Sequence, residues 1–465
     1  MRLRRPARDF TTTRPLQVLM FLLAHVPLAL VIRQFPVMGI VHALVVAALG
    51  LWWALPGRNL ERVAYVGAYI TGAEVLWRMT EVGLFWEFAK YAVAGIFLVA
   101  LVRSRAFKPP VLPLLYFALL LPSTLQMFSK MGLDEARQQI SFNLSGPLAL
   151  LMSAWFFSKQ RLTPVQFNRL FLALMGPVVG IAAVALFGIA TGAEIRFNGE
   201  SNAATSGGFA PNQVSAALGL AAMAAFLALT TRREDWRLRI FLFGSMVVFG
   251  AQSALTFSRG GLYCAFAGAL GASLCLMQDS RARMKVLLAA GLVFLIAQFF
   301  ILPKLDAFTG GALADRFEDT SPTNRDMLVE EDLEIWKRSP IFGVGPGGAD
   351  AIRKEELFFS AAHTEFTRLI AEHGIFGMAA LVLLLAAGYR RVQRARTPTG
   401  KAVVVAFIIW TLLFMLVNAM RLVAPSLAYG LCFAAMLPET APALAVGGAM
   451  LKRLQPGDGQ PVASA

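Results

Sequence analysis

Charge is scarce in this sequence: Asp, Glu, Lys and Arg make up 15% of 465 residues, while 57% are apolar. An average soluble domain carries roughly 25% charged and roughly 45–50% apolar residues, so a water-soluble enzyme is excluded. Cysteine is rarer still. Cys264, Cys275 and Cys432 all fall inside apolar runs, which leaves no disulfide framework or thiolate metal site and makes them core packing residues. No His/Cys/Asp/Glu cluster has zinc-ligand spacing and no D-x-D pair offers a divalent-cation site, so metal-independent chemistry without a cofactor is expected. No repeat of roughly 20–50 residues is present, which excludes a solenoid. The first apolar run, Leu16–Ile32, is not followed by a small-residue cleavage site and reads as a start anchor.

Long apolar runs, by contrast, are abundant. A bilayer core about 30 Å thick takes roughly 20 apolar residues in a helix. About twelve to fourteen runs approach that length, from 16–32 through 145–158 to 424–448, and they predict an all-α polytopic membrane protein. The expected units are helices with short loops over 1–302, a large loop over 303–364, C-terminal helices over 365–450 and a tail over 451–465. The net charge of +15 does not form a basic stripe, so no nucleic-acid partner is expected. Instead 27 of the 43 Lys and Arg lie in alternate loops, a positive-inside bias that places both termini in the cytoplasm and the long loop on the opposite face.

That loop is the one long acidic stretch, with twelve Asp/Glu against seven Lys/Arg between Pro303 and Ala362. Within it Arg325–Lys337 puts Leu328, Val329, Leu333, Ile335 and Trp336 on one helical arc, with Thr323 and Asp326 spaced as a cap. Two readings stand: a helix lying beside the outer leaflet, or a cover over an active site. Two further outer loops are expected at Gln126–Asn143 and Thr191–Asn212. The glycines of Gly343-Val-Gly-Pro-Gly-Gly348 lack the strand–helix context of a nucleotide loop and read as a tight hinge.

Several residues at the loop face could carry chemistry. His363, where the acidic loop returns to the membrane, is a near-neutral base or a helix-end anchor. Glu365, Arg368 and Glu372 are spaced at i, i+3 and i+7 for mutual pairing on the opposite side of that helix. His25 and His42 read as packing or interface residues and His373 as a buried, hydrogen-bonded one. In Thr256-Phe-Ser-Arg-Gly-Gly261, Arg259 stands at a two-glycine break where backbone N–H groups and a guanidinium could meet a phosphate; a snorkelling arginine is the alternative. Arg196 and Arg421 are single arginines on the side where basic residues are sparse. Glu74, Arg78 and Glu81 share a helical face in the third crossing, as an ion network or a wall against substrate.

Ser258-Arg259-Gly260-Gly261, the Gly343-x-Gly-x-Gly347 of the long loop, and the series His363, Phe366, Leu369, Glu372, Gly374, Gly377 together resemble the O-antigen ligase superfamily. The resemblance extends over residues 190–390. It implies a glycosyltransferase of the bacterial inner membrane that takes a glycan from undecaprenyl diphosphate at the periplasmic face and joins it to an acceptor hydroxyl. Ligases, O-antigen polymerases and exopolysaccharide polymerases all belong to it, so the acceptor is a glycan or a lipid A-core. Matching positions make His363 the base and Arg259 and Arg196 the diphosphate binders; from its place on the side sparse in basic residues, Arg421 is expected to join them, and Arg78 and Glu74 to support the site. Membrane lipid and polysaccharide assembly proteins are the implied partners. A transporter or flippase of lipid-linked glycan is the competing class, disfavoured because the two halves of the chain show no hydropathy symmetry.

Overall fold

A computed structural model describes residues 15–130, 132–191, 195–197, 200–231, 235–278, 280–319, 325–357 and 364–437. The protein is an all-α bundle whose helices pass back and forth between a basic end and a loop end. Helix α1 (Pro15–Gln34) runs out from the basic end and α2 (Pro36–Ala54) returns. The pattern repeats with α3 (Leu60–Met79) and α4 (Phe88–Arg103), then with α5 (Val111–Leu119) and α6 (Thr124–Lys130) running out together and α7 (Leu133–Ser158) returning. Next come α8 (Pro164–Thr191) and α9 (Pro211–Thr231), then α10 (Trp236–Leu255) and α11 (Arg259–Leu276). Helix α12 (Ser280–Ile296), a π turn and α13 (Leu302–Thr309) run out as one leg. The long loop holds α14 (Ala312–Glu318), α15 (Arg325–Arg338) and α16 (Gly348–Leu357). Helix α17 (Glu365–Arg394) then returns, α18 (Pro398–Val417) runs out, and α19 (Ala424–Leu431) starts the last return.

Among the described residues eleven helical stretches are long and apolar enough to cross a membrane. Three legs fall short of that measure for different reasons. Helix α4 has 16 residues. Helix α3 carries Glu61 and Arg62 at its basic-end start and Glu74 and Arg78 near its far end, where the latter two are buried and meet protein instead of lipid. The expected crossing at 424–448 is corrected most. Helix α19 has eight residues, after which Arg391 donates to the carbonyls of Cys432 (2.8 Å) and Phe433 (3.0 Å). The freed backbone then forms β2 (Ala435–Met436), paired in parallel with β1 (Arg161–Leu162) at the basic end. With the carbonyls capped and the strand paired, the last leg reaches the basic end without a full helix.

Two expected loops are also shorter than the sequence suggested. Most of Gln126–Asn143 is helical, because α7 begins at Leu133 and runs through Pro147. Pro303 sits in the first turn of α13, where a missing N–H costs nothing, so that leg stays helical to Thr309. The three cysteines are buried and unpaired, as packing residues should be.

One hydrogen-bond relay ties the first three helices together inside the bundle. Trp77 Nε1 donates to His42 Nδ1 (3.0 Å), so the neutral His42 ring carries its proton on Nε2. That Nε2 contacts Tyr69 Oη at 2.9 Å and donates to it; Tyr69 in turn donates to His25 Nε2, also at 2.9 Å. The His25 proton is left on Nδ1, where it meets the Phe21 carbonyl at 2.8 Å. Both tautomers are thus set by one tryptophan N–H. Tyr69→Phe removes the two central bonds. At about 0.6 kcal/mol for an average interhelical bond in a membrane, with an upper limit near about 1.7, the expected cost is about 1–2 kcal/mol. A lower midpoint of thermal unfolding in detergent would show it, and a midpoint equal to wild type would refute the relay.

Candidate active site

The loop end of the bundle concentrates the charge that the rest of the chain lacks. Its centre is the turn between α18 and α19, where four backbone groups are held by four charged side chains. The Glu365 carboxylate accepts from Met420 N (2.9 Å) and that of Glu74 accepts from Val423 N (2.7 Å). Lys90 Nζ donates to the Met420 carbonyl (3.4 Å), and Arg78 Nη2 donates to the Arg421 carbonyl (3.0 Å). Each holder is paired in turn: Arg78 with Glu74 at 2.7 Å, Lys90 with Glu87, and Arg368 with both Glu365 and Glu372. Glu87 also accepts from Ser145 (2.8 Å) and Arg368 donates to Asn143 (3.3 Å), which brings in α7. The pairing expected for Glu365, Arg368 and Glu372 is therefore present, and its purpose includes holding a loop.

The caged turn presents the Arg421 side chain toward Lys90, Asn143, Asp350 and Arg368. Burial pulls the Arg421 pKa below its ordinary value, an effect opposed by Asp350 and reinforced by the cations Arg368 and Arg353. No ion pair or side-chain hydrogen bond is made by Arg421 among the described residues. A half-buried guanidinium in this position is a ready partner for an anion.

Arg259 opens α11 at the same end, and the following Gly260 approaches Asn418, the residue that begins the caged turn. Arg259 Nη1 donates to the carbonyls of Arg316 (3.3 Å) and Asp319, fastening it to α14 and its exit. The two-glycine break is corrected: the chain reverses at Phe257, whose φ is +58°, and both glycines lie in the first helical turn. A bulky residue in the left-handed region is a strained outlier. Phe257 is fully buried, stacks on Phe197 at 5.3 Å and accepts from Arg316 Nε through its carbonyl (3.3 Å). Gly261 instead lets α11 press against the backbone of Ser215 in α9, where a Cβ would meet the carbonyl at 2.2 Å. Arg316, unremarked in the sequence, is the second guanidinium here; burial and the charge of Arg259 lower its pKa.

The remaining candidates join this end through hydrogen bonds. Arg78 Nη1 donates to Gln213 (2.9 Å), and the adjacent Asn212 accepts from Ser258 Oγ (2.6 Å), beside Arg259. Arg196 is exposed, and its carbonyl accepts from Asn202, whose N–H reaches the Thr256 carbonyl at 2.9 Å. Glu81 is corrected: α3 ends at Met79 and Glu81 has φ +54°, so it leaves the face shared by Glu74 and Arg78 and pairs with neither. His363 and Thr323 lie outside the described residues. Thr364 caps α17, its Oγ1 accepting from Phe366 N at 3.2 Å. His373 is buried and bonds Ser123 Oγ at 2.6 Å, as expected of a core histidine. No three His, Cys, Asp or Glu side chains converge as a metal set among the described residues.

The long loop docks on α17. Helix α15 buries Leu328, Asp332 and Ile335, an i, i+4, i+7 face, while Leu333 is 36% exposed. The sequence arc missed this because the face has an acid at its centre. Asp332 pairs with Arg353 of α16 and accepts from Thr367 of α17 at 2.6 Å. Burial raises the Asp332 pKa, and Arg353 opposes that rise. The hinge glycines then run along a break in α17, where Gly374 adopts φ +60°, ψ −138°. The break frees two carbonyls, and Val344 N takes that of Ala371 (3.1 Å) while Gly345 N takes that of Glu372 (2.9 Å). Only glycine fits at 374, since a Cβ there would meet the Ile341 carbonyl at 2.4 Å. The amphipathic helix is thus packed against α16 and α17.

Residues 253–382, from the end of α10 through most of α17, match the O-antigen ligase family model, Wzy_C. This match supports the O-antigen ligase superfamily. No curated protein matches the chain. The family carries ligase- and polymerase-type glycosyltransferases that act on lipid-linked glycans in a membrane. Arg259, Arg316, the α15–α16 pair and the Glu365–Arg368–Glu372 cluster all fall within the matched domain, whereas Arg78, Glu74 and Arg421 reach it from outside. Removing one partner of the buried Glu74–Arg78 pair strands a charge, at about 3–5 kcal/mol. Glu74→Ala and Arg78→Ala should each lower the unfolding midpoint, and the double variant should cost clearly less than their sum. Strictly additive losses would mean that the two charges act separately.

Proposed function

We propose that the chain is a glycosyltransferase of the bacterial inner membrane, working at the periplasmic face. It moves a glycan from undecaprenyl diphosphate to an acceptor hydroxyl, as an O-antigen ligase or a closely related O-antigen or exopolysaccharide polymerase. The observation that carries this reading is that the helix opened by Arg259, inside the O-antigen ligase domain, abuts through Gly260 the charge-caged turn that presents Arg421.

A sugar hydroxyl is too weak an acid to attack unaided near neutral pH, so a positioned base is needed, and histidine suits that pH. In this scheme His363 takes the proton as the acceptor oxygen bonds to the anomeric carbon of the donor. The bond from that carbon to the diphosphate oxygen breaks, and its electron pair leaves with the diphosphate. That leaving group is already a stable anion and needs charge stabilisation more than a proton. Arg259, Arg196 and Arg421 supply it. Glu74 and Arg78 act one step back, by fixing the backbone that presents Arg421. Activation arrives on the lipid, so no cofactor and no metal ion is required; the acceptor is a glycan or a lipid A-core.

The test is purified protein incubated with a lipid-diphosphate oligosaccharide, the products being resolved by size. His363→Ala should cut transfer by about 10²–10⁴-fold while the protein stays folded, and Arg259→Lys should impair it through loss of the planar fork. Exhaustive chelation should leave the rate unchanged. A ladder formed from donor alone identifies a polymerase; transfer only with added lipid A-core identifies a ligase. Wild-type output from His363→Ala would remove the base assignment, and donor left untouched with every acceptor would turn attention to flipping.

A further inference from the structure

At the loop end, outside the matched domain, a cleft of about 340 Å3 opens between the last turn of α3, the turn that leads to α4, and Phe209. Small-ligand sites span roughly 300–1,000 Å3, so it is large enough to hold one. Its walls are aromatic: Trp77, Phe85, Trp86 and Phe209 all line it. Its floor is the buried Glu74–Arg78 pair, with the Arg78 guanidinium over the Trp86 ring at 4.2 Å. Glu81 stands exposed among the lining residues, and no side chain pairs with it among the described residues. Its backbone φ of +54° is a conformation that glycine adopts freely and a glutamate only under strain.

The chemistry of this lining selects among occupants. Glu74 and Arg78 cancel, and Glu81 leaves one negative charge, so a diphosphate is repelled. A prenyl chain needs apolar walls throughout, and here it would desolvate the Glu81 carboxylate without pairing it. A sugar ring meets both demands. Its C–H face lies on aromatic rings, and its hydroxyls donate to the carboxylate and accept from the guanidinium. We propose that this cleft is a glycan-binding subsite that seats one sugar ring beside the Arg421 turn. The assignment rests on the glycosyltransferase reading for its biological meaning, since both donor and acceptor are glycans.

The experiment uses the full chain in detergent and a lipid-free oligosaccharide released from the donor by mild acid. Binding is read by saturation-transfer NMR and titration, so no turnover is required. Wild type and His363→Ala should bind equally, with saturation concentrated on one face of a single ring. Trp86→Ala should weaken binding at least tenfold. Glu81→Gln, an exposed change that leaves the packing intact, should weaken it several-fold. A raised KM for acceptor or for donor in Glu81→Gln, at unchanged kcat, then tells which glycan sits there. Equal oligosaccharide binding by wild type and both variants, in a protein that transfers normally, overturns the subsite, as does displacement of the oligosaccharide by a sugar-free prenyl diphosphate. Specific binding lost in the variants of a protein that shows no transfer would keep the subsite and discard the reaction.

Discussion

The structure depends on a backbone turn that has no helix to satisfy it. Between α18 and α19 the chain runs irregularly at the edge of the membrane-spanning bundle, where unpaired N–H and carbonyl groups cost several kcal/mol each. Buried charges are equally costly when alone. Here the two costs offset one another. Glu74, Glu365, Lys90 and Arg78 take the N–H and carbonyl groups of residues 420–423, and each of the four also carries an opposite charge as partner. Three helices, α3, α4 and α17, are locked to the turn in consequence. The product of that locking is a defined position for one guanidinium, that of Arg421.

The same principle fastens the long loop. A break at Gly374 exposes carbonyls of α17, and the hinge between α15 and α16 supplies the missing N–H groups. Asp332, Arg353 and Thr367 then close the other side of the contact. The loop is thereby joined to the first turns of the helix that begins with Glu365, the residue that holds the turn. Loop, helix and turn form one connected set of hydrogen bonds, so a disturbance at any one of them reaches the others.

How much of this was legible in the sequence depends on which force decided each feature. Apolar runs are set by transfer to lipid, a local property, and most of the legs were readable on that basis. The i, i+3 and i+7 spacing of Glu365, Arg368 and Glu372 was readable too, because helix geometry is local. What escaped was decided by distant partners. The buried face of α15 is centred on Asp332 because Arg353 is there to pair with it, and no periodicity of apolar residues records that. The end of α19 follows from Arg391 and from Arg161–Leu162, hundreds of residues away in the case of β1. At Arg259 the glycines drew attention to the wrong residue: they serve helix packing, while Phe257 makes the turn.

The arginines at the loop end differ in how much charge they have left to offer. Arg368 lies between Glu365 and Glu372, and Arg353 between Asp332 and Asp350; each is outweighed by its carboxylates and is committed to structure. Arg78 is matched one to one by Glu74. Arg316 is paired with Asp319 at 3.7 Å, and its pKa is lowered by burial and then by Arg259, with Asp319 and Glu200 opposing the fall. Arg421 is half-buried among cations as well as acids, with its carbonyl, not its guanidinium, engaged in the cage. An added dianion would gain most where a guanidinium has no carboxylate of its own among the described residues, at Arg421. The start of α11, with Arg259, adjoins the turn that carries Arg421 through Gly260 and Asn418. The charge balance thus singles out Arg421, which lies outside the matched domain, on grounds that take no account of that match.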